Sequence, residues 1–197
     1  MIDLEAATRV LTDVVAGVGD DQLGAPTPCT EASLGDLLDH IDGLSLAFSA
    51  AAAKTPIGGG SQGPSADASR LGEDWRTRIP ERLATLADAW RDEEAWTGMT
   101  QAGGLDLPGE IAGIVALDEV VVHGWDIAMA SGQSFSCQPD LVAVAYEFVQ
   151  SAVAQNPDGS ARLFGPPVPV PEDAPLLDRL LGLAGRDPAW SPGGSDA

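Results

Sequence analysis

A chain of 197 residues that is 44% hydrophobic, with five Trp and four Phe, is long enough to bury the core of one domain, which excludes disorder as its overall state. Its formal net charge of −20, from 30 acidic and 10 basic residues, argues against nucleic acid or an anionic membrane as partner, because such a surface repels phosphate. No stretch approaches 18 consecutive apolar residues, and the opening Met-Ile-Asp-Leu-Glu lacks the basic-then-apolar pattern of a secretory signal, so the expectation is a soluble cytoplasmic protein.

Along Ile2–Val18, the side chains of Leu4, Ala7, Val10, Leu11, Val14, Val15 and Val18 recur at a period near 3.6, predicting an amphipathic helix ended by Gly17 and Gly19. Asp20–Thr30 reads as a loop. Ser33, with Asp36 three residues later, makes a capping-box-like start for a second helix from about Leu34 to Lys54. Leu37, Leu38, Ile41, Leu44 and Phe48 form its apolar side, and His40 lies inside it. Thr55–Ser69 is rich in Gly, Ser and Pro and is expected to be a mobile loop, a candidate flap over a site.

Leu71–Trp96 is helical in pattern through Trp75, Ile79, Leu83, Leu86, Trp90 and Trp96, with a kink or restart expected near Ile79 because Pro80 follows it. Thr97–Leu107, with its Gly103-Gly104 pair, reads as a loop or small hairpin. Pro108 introduces a fourth helix, about Gly109–Ser131, stopped at Gly132. A fifth spans Pro139–Gln155. Arg162–Val170 (RLFGPPVPV) is too rich in proline for a helix and is expected to be an extended strap. Asp173–Gly185 can close the chain with a short helix, and Trp190 with the final residues reads as a frayed end. The whole is one domain, 1–197, with residues 160–197 as strap, short helix and end.

Cys29 and Cys137 form no C-x-x-C pair and are read as free thiols. The chain has two histidines, each on an apolar helical stretch and each with an acid four residues before it: Asp36 before His40, and Glu119 before His123. One turn apart on a helix, Glu119 and His123 can reach one ion, with Asp126 continuing their row. A tetrahedral site needs a third protein ligand, and His40 is the only other histidine. In so acidic a chain this spacing arises readily by accident, so the residues alone leave open a second reading, two core histidines each bonded to a carboxylate or carbonyl. No phosphate cradle, P-loop or G-x-S-x-G elbow is present.

The segments TPCTEASLGDLLDHIDGLSLAF, DWRTRIPERLATLADAW, LDEVVVHGWDIAMASGQ and LFGPPVPVPEDAPLLDRLLGLAGRDPAW, in that order, resemble an actinobacterial family of DinB-like metal-binding proteins. That family is similar to the N-terminal, metal-binding domain of mycothiol-dependent maleylpyruvate isomerase, within the DinB/YfiT-like superfamily. The resemblance runs from about Leu4 to Trp190. It implies an all-α, up-and-down four-helix bundle holding a divalent metal through His40, Glu119 and His123, with Asp126 and Asp36 as outer groups that orient the imidazoles. Zinc is the first expectation for the metal; Ni, Fe and Mn also suit two His and one Glu. The isomerase carries a second, C-terminal domain where this chain has a short tail, so its particular substrate is not carried over.

Three protein ligands leave a coordination position open, as in catalytic zinc sites. The resemblance therefore implies a thiol-dependent transferase or isomerase, in which a small thiol such as mycothiol is held as thiolate and attacks a small electrophile. The rival readings are a non-catalytic metal- or ligand-binding bundle with a stress-associated or regulatory role, and a metal-dependent hydrolase with Asp126 as its base. The expected partner is a small-molecule substrate; an exposed apolar helix face would also suit a homodimer.

Overall fold

Apolar side chains spaced at 3.6 residues on four helices meet in one core. The computed structural model describes residues 1–30, 32–55, 66–155 and 164–193. Helices α1 (Glu5–Ala16), α2 (Leu34–Ala52) and α3 (Trp75–Ala89) are followed by a hairpin of β1 (Met99–Ala102) and β2 (Leu105–Pro108), then α4 (Gly109–Ala130), α5 (Pro139–Gln155) and α6 (Leu176–Leu183). Short 3-10 turns occupy Asp20–Gln22, Ala68–Arg70 and Glu93–Trp96. The all-α class expected from the sequence is what the chain adopts, with one small antiparallel ribbon in which Met99 pairs with Pro108 and Ala102 with Leu105.

Helix α1 packs against α3 and α4, and α2 packs against the same two. The order round the bundle is therefore α1, α3, α2, α4, with α1 facing α2 across the diagonal. The connections are long enough to span the ends of the bundle. Leu11, Val15, Leu34, Leu38, Ile41, Ile79, Leu83, Leu86, Leu117 and Val121 are fully buried between these helices. Helix α5 lies on α4, and α6 packs on α5.

Several boundaries differ from the sequence expectation, each for a local reason. Helix α1 starts at Glu5, whose backbone N–H bonds to the Asp3 carboxylate, and ends with Gly17 as C-cap. Helix α3 begins at Trp75 and not Leu71, because Gly72 adopts φ +69°, outside helical geometry. It then continues through Pro80 without a restart; in the second turn the proline removes a single backbone bond. The segment after α3 is not helix to Trp96: Trp96 folds back, donates its indole N–H to the Trp90 carbonyl at 2.8 Å and meets the Trp90 ring edge-on at 5.1 Å.

Of the expected flap, residues 56–65 lie outside the described residues. Its described end folds onto α2, where Asp67 and Ala68 donate backbone N–H groups to Asp39 and Asp36, and Arg70 pairs with Asp39 at 2.5 Å. The strap is described from Phe164, which is buried, and is tied to α6 by the Val168 N–H on the Gly182 carbonyl at 2.8 Å. A Cβ at Gly182 would come within 2.4 Å of Val170, so the close approach needs glycine there. Trp190 is not frayed: it is half-buried, packs on the core and bonds back to Asp187. Residues 194–197 lie outside the described residues. Among those described, no helix is long and apolar enough to cross a membrane.

The capping box read from the sequence forms at the start of α2. Ser33 accepts the Asp36 N–H, while the Asp36 carboxylate accepts the Ser33 N–H at 2.9 Å and its hydroxyl at 2.6 Å. Ser33→Ala removes this cap from the helix that carries His40, and thermal unfolding should show a loss of about 1 kcal/mol. An unchanged midpoint would mean that the Ala68 contact alone secures the helix start.

Candidate metal centre

Helix α4 is apolar on nearly all sides and buried along most of its length, so its polar residues stand out. Glu119 and His123 lie one turn apart, and the His123 Nε2 is 3.1 Å from Glu119 Oε2. Helix α2, packed alongside, brings His40 Nε2 to 3.4 Å from the same oxygen. The two imidazole rings meet edge to face, 5.0 Å between centroids at 86°. One ligand atom from each of the three residues lies within 4.8 Å of the others.

These residues fit a divalent metal. Bonds of about 2.0–2.1 Å in a tetrahedral site put neighbouring donors roughly 3.4 Å apart. The 3.1 and 3.4 Å separations from Glu119 are already near that spacing, and the two histidine nitrogens lie within 4.8 Å of each other. Two imidazoles and a carboxylate suit zinc and several other first-row ions. The side chains of His40, Glu119 and His123 retain 22%, 18% and 13% of their exposure, which leaves the cluster within reach of an external molecule. Among the described residues, no other His, Cys, Asp or Glu completes a fourth corner.

Behind His123 stands a buried chain of polar groups. Its Nδ1 is 3.0 Å from Asp126 Oδ2, and Asp126, wholly shielded from solvent, receives two bonds from Arg186: Nη2 to Oδ2 at 3.0 Å and Nε to Oδ1 at 3.3 Å. Burial alone would lower the His123 pKa, but hydrogen bonds to Asp126 and Glu119 outweigh it and raise the value from 6.5 to about 10. Burial likewise opposes ionisation of Glu119 and Asp126, yet their bonds to the histidines, and for Asp126 the Arg186 charge, hold both carboxyls below their ordinary range. Asp118 behaves oppositely. Burial pushes its carboxyl well above the usual range, and its Oδ1 lies buried with no hydrogen-bond partner among the described residues.

The structure thus brings together His40, Glu119, His123 and Asp126, but not Asp36. Although Asp36 stands four residues before His40, one of its oxygens is taken by Ser33 and the other by the Ala68 N–H, which directs the carboxylate into the helix start. Arg186 and Asp118 carried no signal as site residues in the sequence. Arg186 falls in the GRDPAW segment, and only the scarcity of cations, 10 in 197, could have drawn attention to it. Cys29 and Cys137 are free, as expected, and both are half-buried.

Residues 4–128 match the family described as mycothiol maleylpyruvate isomerase N-terminal domain, which is well over half of the chain. The chain belongs to that family. Its relatives include the uncharacterized protein Rv0738 of Mycobacterium tuberculosis strain H37Rv and its counterpart MT0763 in strain CDC 1551. Each is 30% identical over 188 residues, covering 92% of this chain and 94% of the relative. In fold, the chain is similar to the crystal structure of the mycothiol-dependent maleylpyruvate isomerase, with a TM-score of 0.64 at 16% identity, covering 93% of this chain and 86% of that one. The likeness in fold therefore reaches past α1–α4 and over most of the isomerase chain, further than a match to its N-terminal domain alone would reach. His40, Glu119 and His123, the three candidate ligands, lie within the matched residues; Arg186 lies beyond them.

The raised His123 pKa has a consequence for the metal-free fold. The imidazolium's contribution is fully present below the ordinary value of 6.5 and is lost as the pH rises through about 10. The thermal midpoint of metal-free protein should therefore fall across that window, and His123→Gln should lack this part of the slope. Unfolding followed by circular dichroism at stepped pH measures it; equal slopes in the two proteins would contradict the assignment.

Proposed function

We propose that this protein holds a divalent metal through His40, Glu119 and His123 and acts as a thiol-dependent transferase or isomerase on a small electrophile, with a mycothiol-type thiol as co-substrate. The observation that carries the reading is the convergence of two imidazole nitrogens and one carboxylate oxygen from two helices on a common point that remains partly open to solvent. Membership in a family named for mycothiol maleylpyruvate isomerase supports the choice of thiol chemistry.

When bound, the ion supplies an open coordination position that favours the deprotonated form of a thiol. The chain's own residues do the rest. Glu119 brings the negative charge that offsets a dication in a largely apolar surrounding, and His40 from α2 and His123 from α4 each present a ring nitrogen beside it. Asp126 accepts the Nδ1–H of His123, which leaves Nε2 as the donor atom.

A second reading, a bundle that binds metal without turnover, is kept because fold alone does not determine chemistry. The hydrolase reading is weaker. Asp126, its only candidate base, is fully buried with both oxygens bonded to Arg186, so it is not placed to take a proton from water.

Metal-stripped protein prepared without a histidine tag should regain bound metal with zinc or nickel and then consume mycothiol, or another low-molecular-weight thiol, in the presence of an electrophile. His40→Ala and His123→Ala should each weaken metal binding by more than the roughly 10–100-fold typical of outer-shell partners and abolish the rate. Bound metal with no metal-dependent rate for any small thiol would favour the non-catalytic bundle, and no bound metal would overturn both readings.

A further inference from the structure

We infer that Arg186 is a positioning residue of the metal centre, acting through Asp126 to hold His123 with its Nε2 directed at the point shared by Glu119 and His40. The inference rests on the metal-binding reading above and extends it to a part of the chain outside the matched residues 4–128.

Arg186 is placed by the way α6 ends. The Arg186 N–H bonds to the Leu181 carbonyl at 2.9 Å and the Gly185 N–H to the Gly182 carbonyl at 3.1 Å, a Schellman stop with Gly185 at φ +81°. A Cβ at Gly185 would lie 2.9 Å from Gly165 backbone atoms, so the turn is closed against the strap. This stop turns the next side chain inward. Arg186 is only 8% exposed, and its Nη1 is anchored on the Ala184 carbonyl at 2.8 Å.

From there its Nε and Nη2 form a fork on the two oxygens of Asp126. Such a bidentate pair fixes the plane of the carboxylate as well as its position. Asp126 Oδ2 is also the atom that faces His123 Nδ1 at 3.0 Å. Orientation therefore passes from the backbone of α6, through the guanidinium and the carboxylate, to the imidazole. No exposed group takes part: Asp126 has no solvent contact, so without Arg186 its free oxygen would be an unpaired buried acceptor. The carboxylate would then be able to turn away from His123.

The full chain is tested as wild type, Arg186→Met, Arg186→Lys, Asp126→Asn and the Asp126→Asn/Arg186→Met double variant. Zinc dissociation constants are read by competition with a chelator, the visible spectrum of the cobalt-substituted protein reports ligand geometry, and far-UV circular dichroism reports folding. Arg186→Met should remain helical, bind zinc about 10–100-fold more weakly and shift the cobalt bands. Arg186→Lys should recover part of the loss, and the double variant should lose no more than Asp126→Asn alone. A folded Arg186→Met protein with wild-type zinc affinity, or losses that add in the double variant, would overturn the inference. If Arg186→Met fails to fold, Arg186→Lys carries the test: it keeps the charge but not the fork, so unchanged zinc affinity and cobalt bands would overturn it. Wild-type protein that binds neither ion overturns the metal reading and this inference together; wild-type binding with unaffected variants overturns this inference alone.

Discussion

Two imidazoles from different helices share one carboxylate oxygen of Glu119. Removing a carboxylate from water inside a bundle costs several kcal/mol unless charged or hydrogen-bonding partners replace the solvent. Here those partners come from α2 and α4, so the two helices must keep a fixed register for the cluster to exist. The core enforces that register through buried Leu37, Ile41, Ala116 and Val120. A separate clamp, Asp42 of α2 between Arg78 and Arg82 of α3 at 3.0 and 2.8 Å, holds α2 from its other side.

Much of this could be read before any coordinates. The helices follow from spacing, because a bundle has to bury one face of each. The pairing of Glu119 with His123 follows from a single helical turn; that His40 joins them is implied by the family resemblance, since the residues alone leave two separate core histidines open. What could not be read were relations that sequence distance hides. Asp126 and Arg186 are sixty residues apart, and no periodicity links them. The diagonal placement of α1 and α2 depends on how long connections run over the bundle ends, which local patterns do not encode.

Asp36 shows how a sound local rule can mislead. Its position four residues before His40 resembles that of Glu119 before His123, yet it also stands third in a capping box, and its two oxygens serve the helix start. Helical spacing states which side chains can meet; competition for hydrogen bonds decides which do. Trp190 makes the converse point. In sequence it reads as one loose end with the Gly-, Ser- and Asp-rich residues that follow it, yet its own large side chain packs on the core.

The inward turn at Gly185 has a bearing on biosynthesis. A ribosome releases His40, Glu119 and His123 well before it releases Arg186, so these three side chains are made while His123 still lacks its rear support. Only when the closing helix emerges and docks is the imidazole braced. The rear support of His123 thus comes from a segment made after all three candidate ligands, and a chain stopped before Arg186 would carry His40, Glu119 and His123 without it.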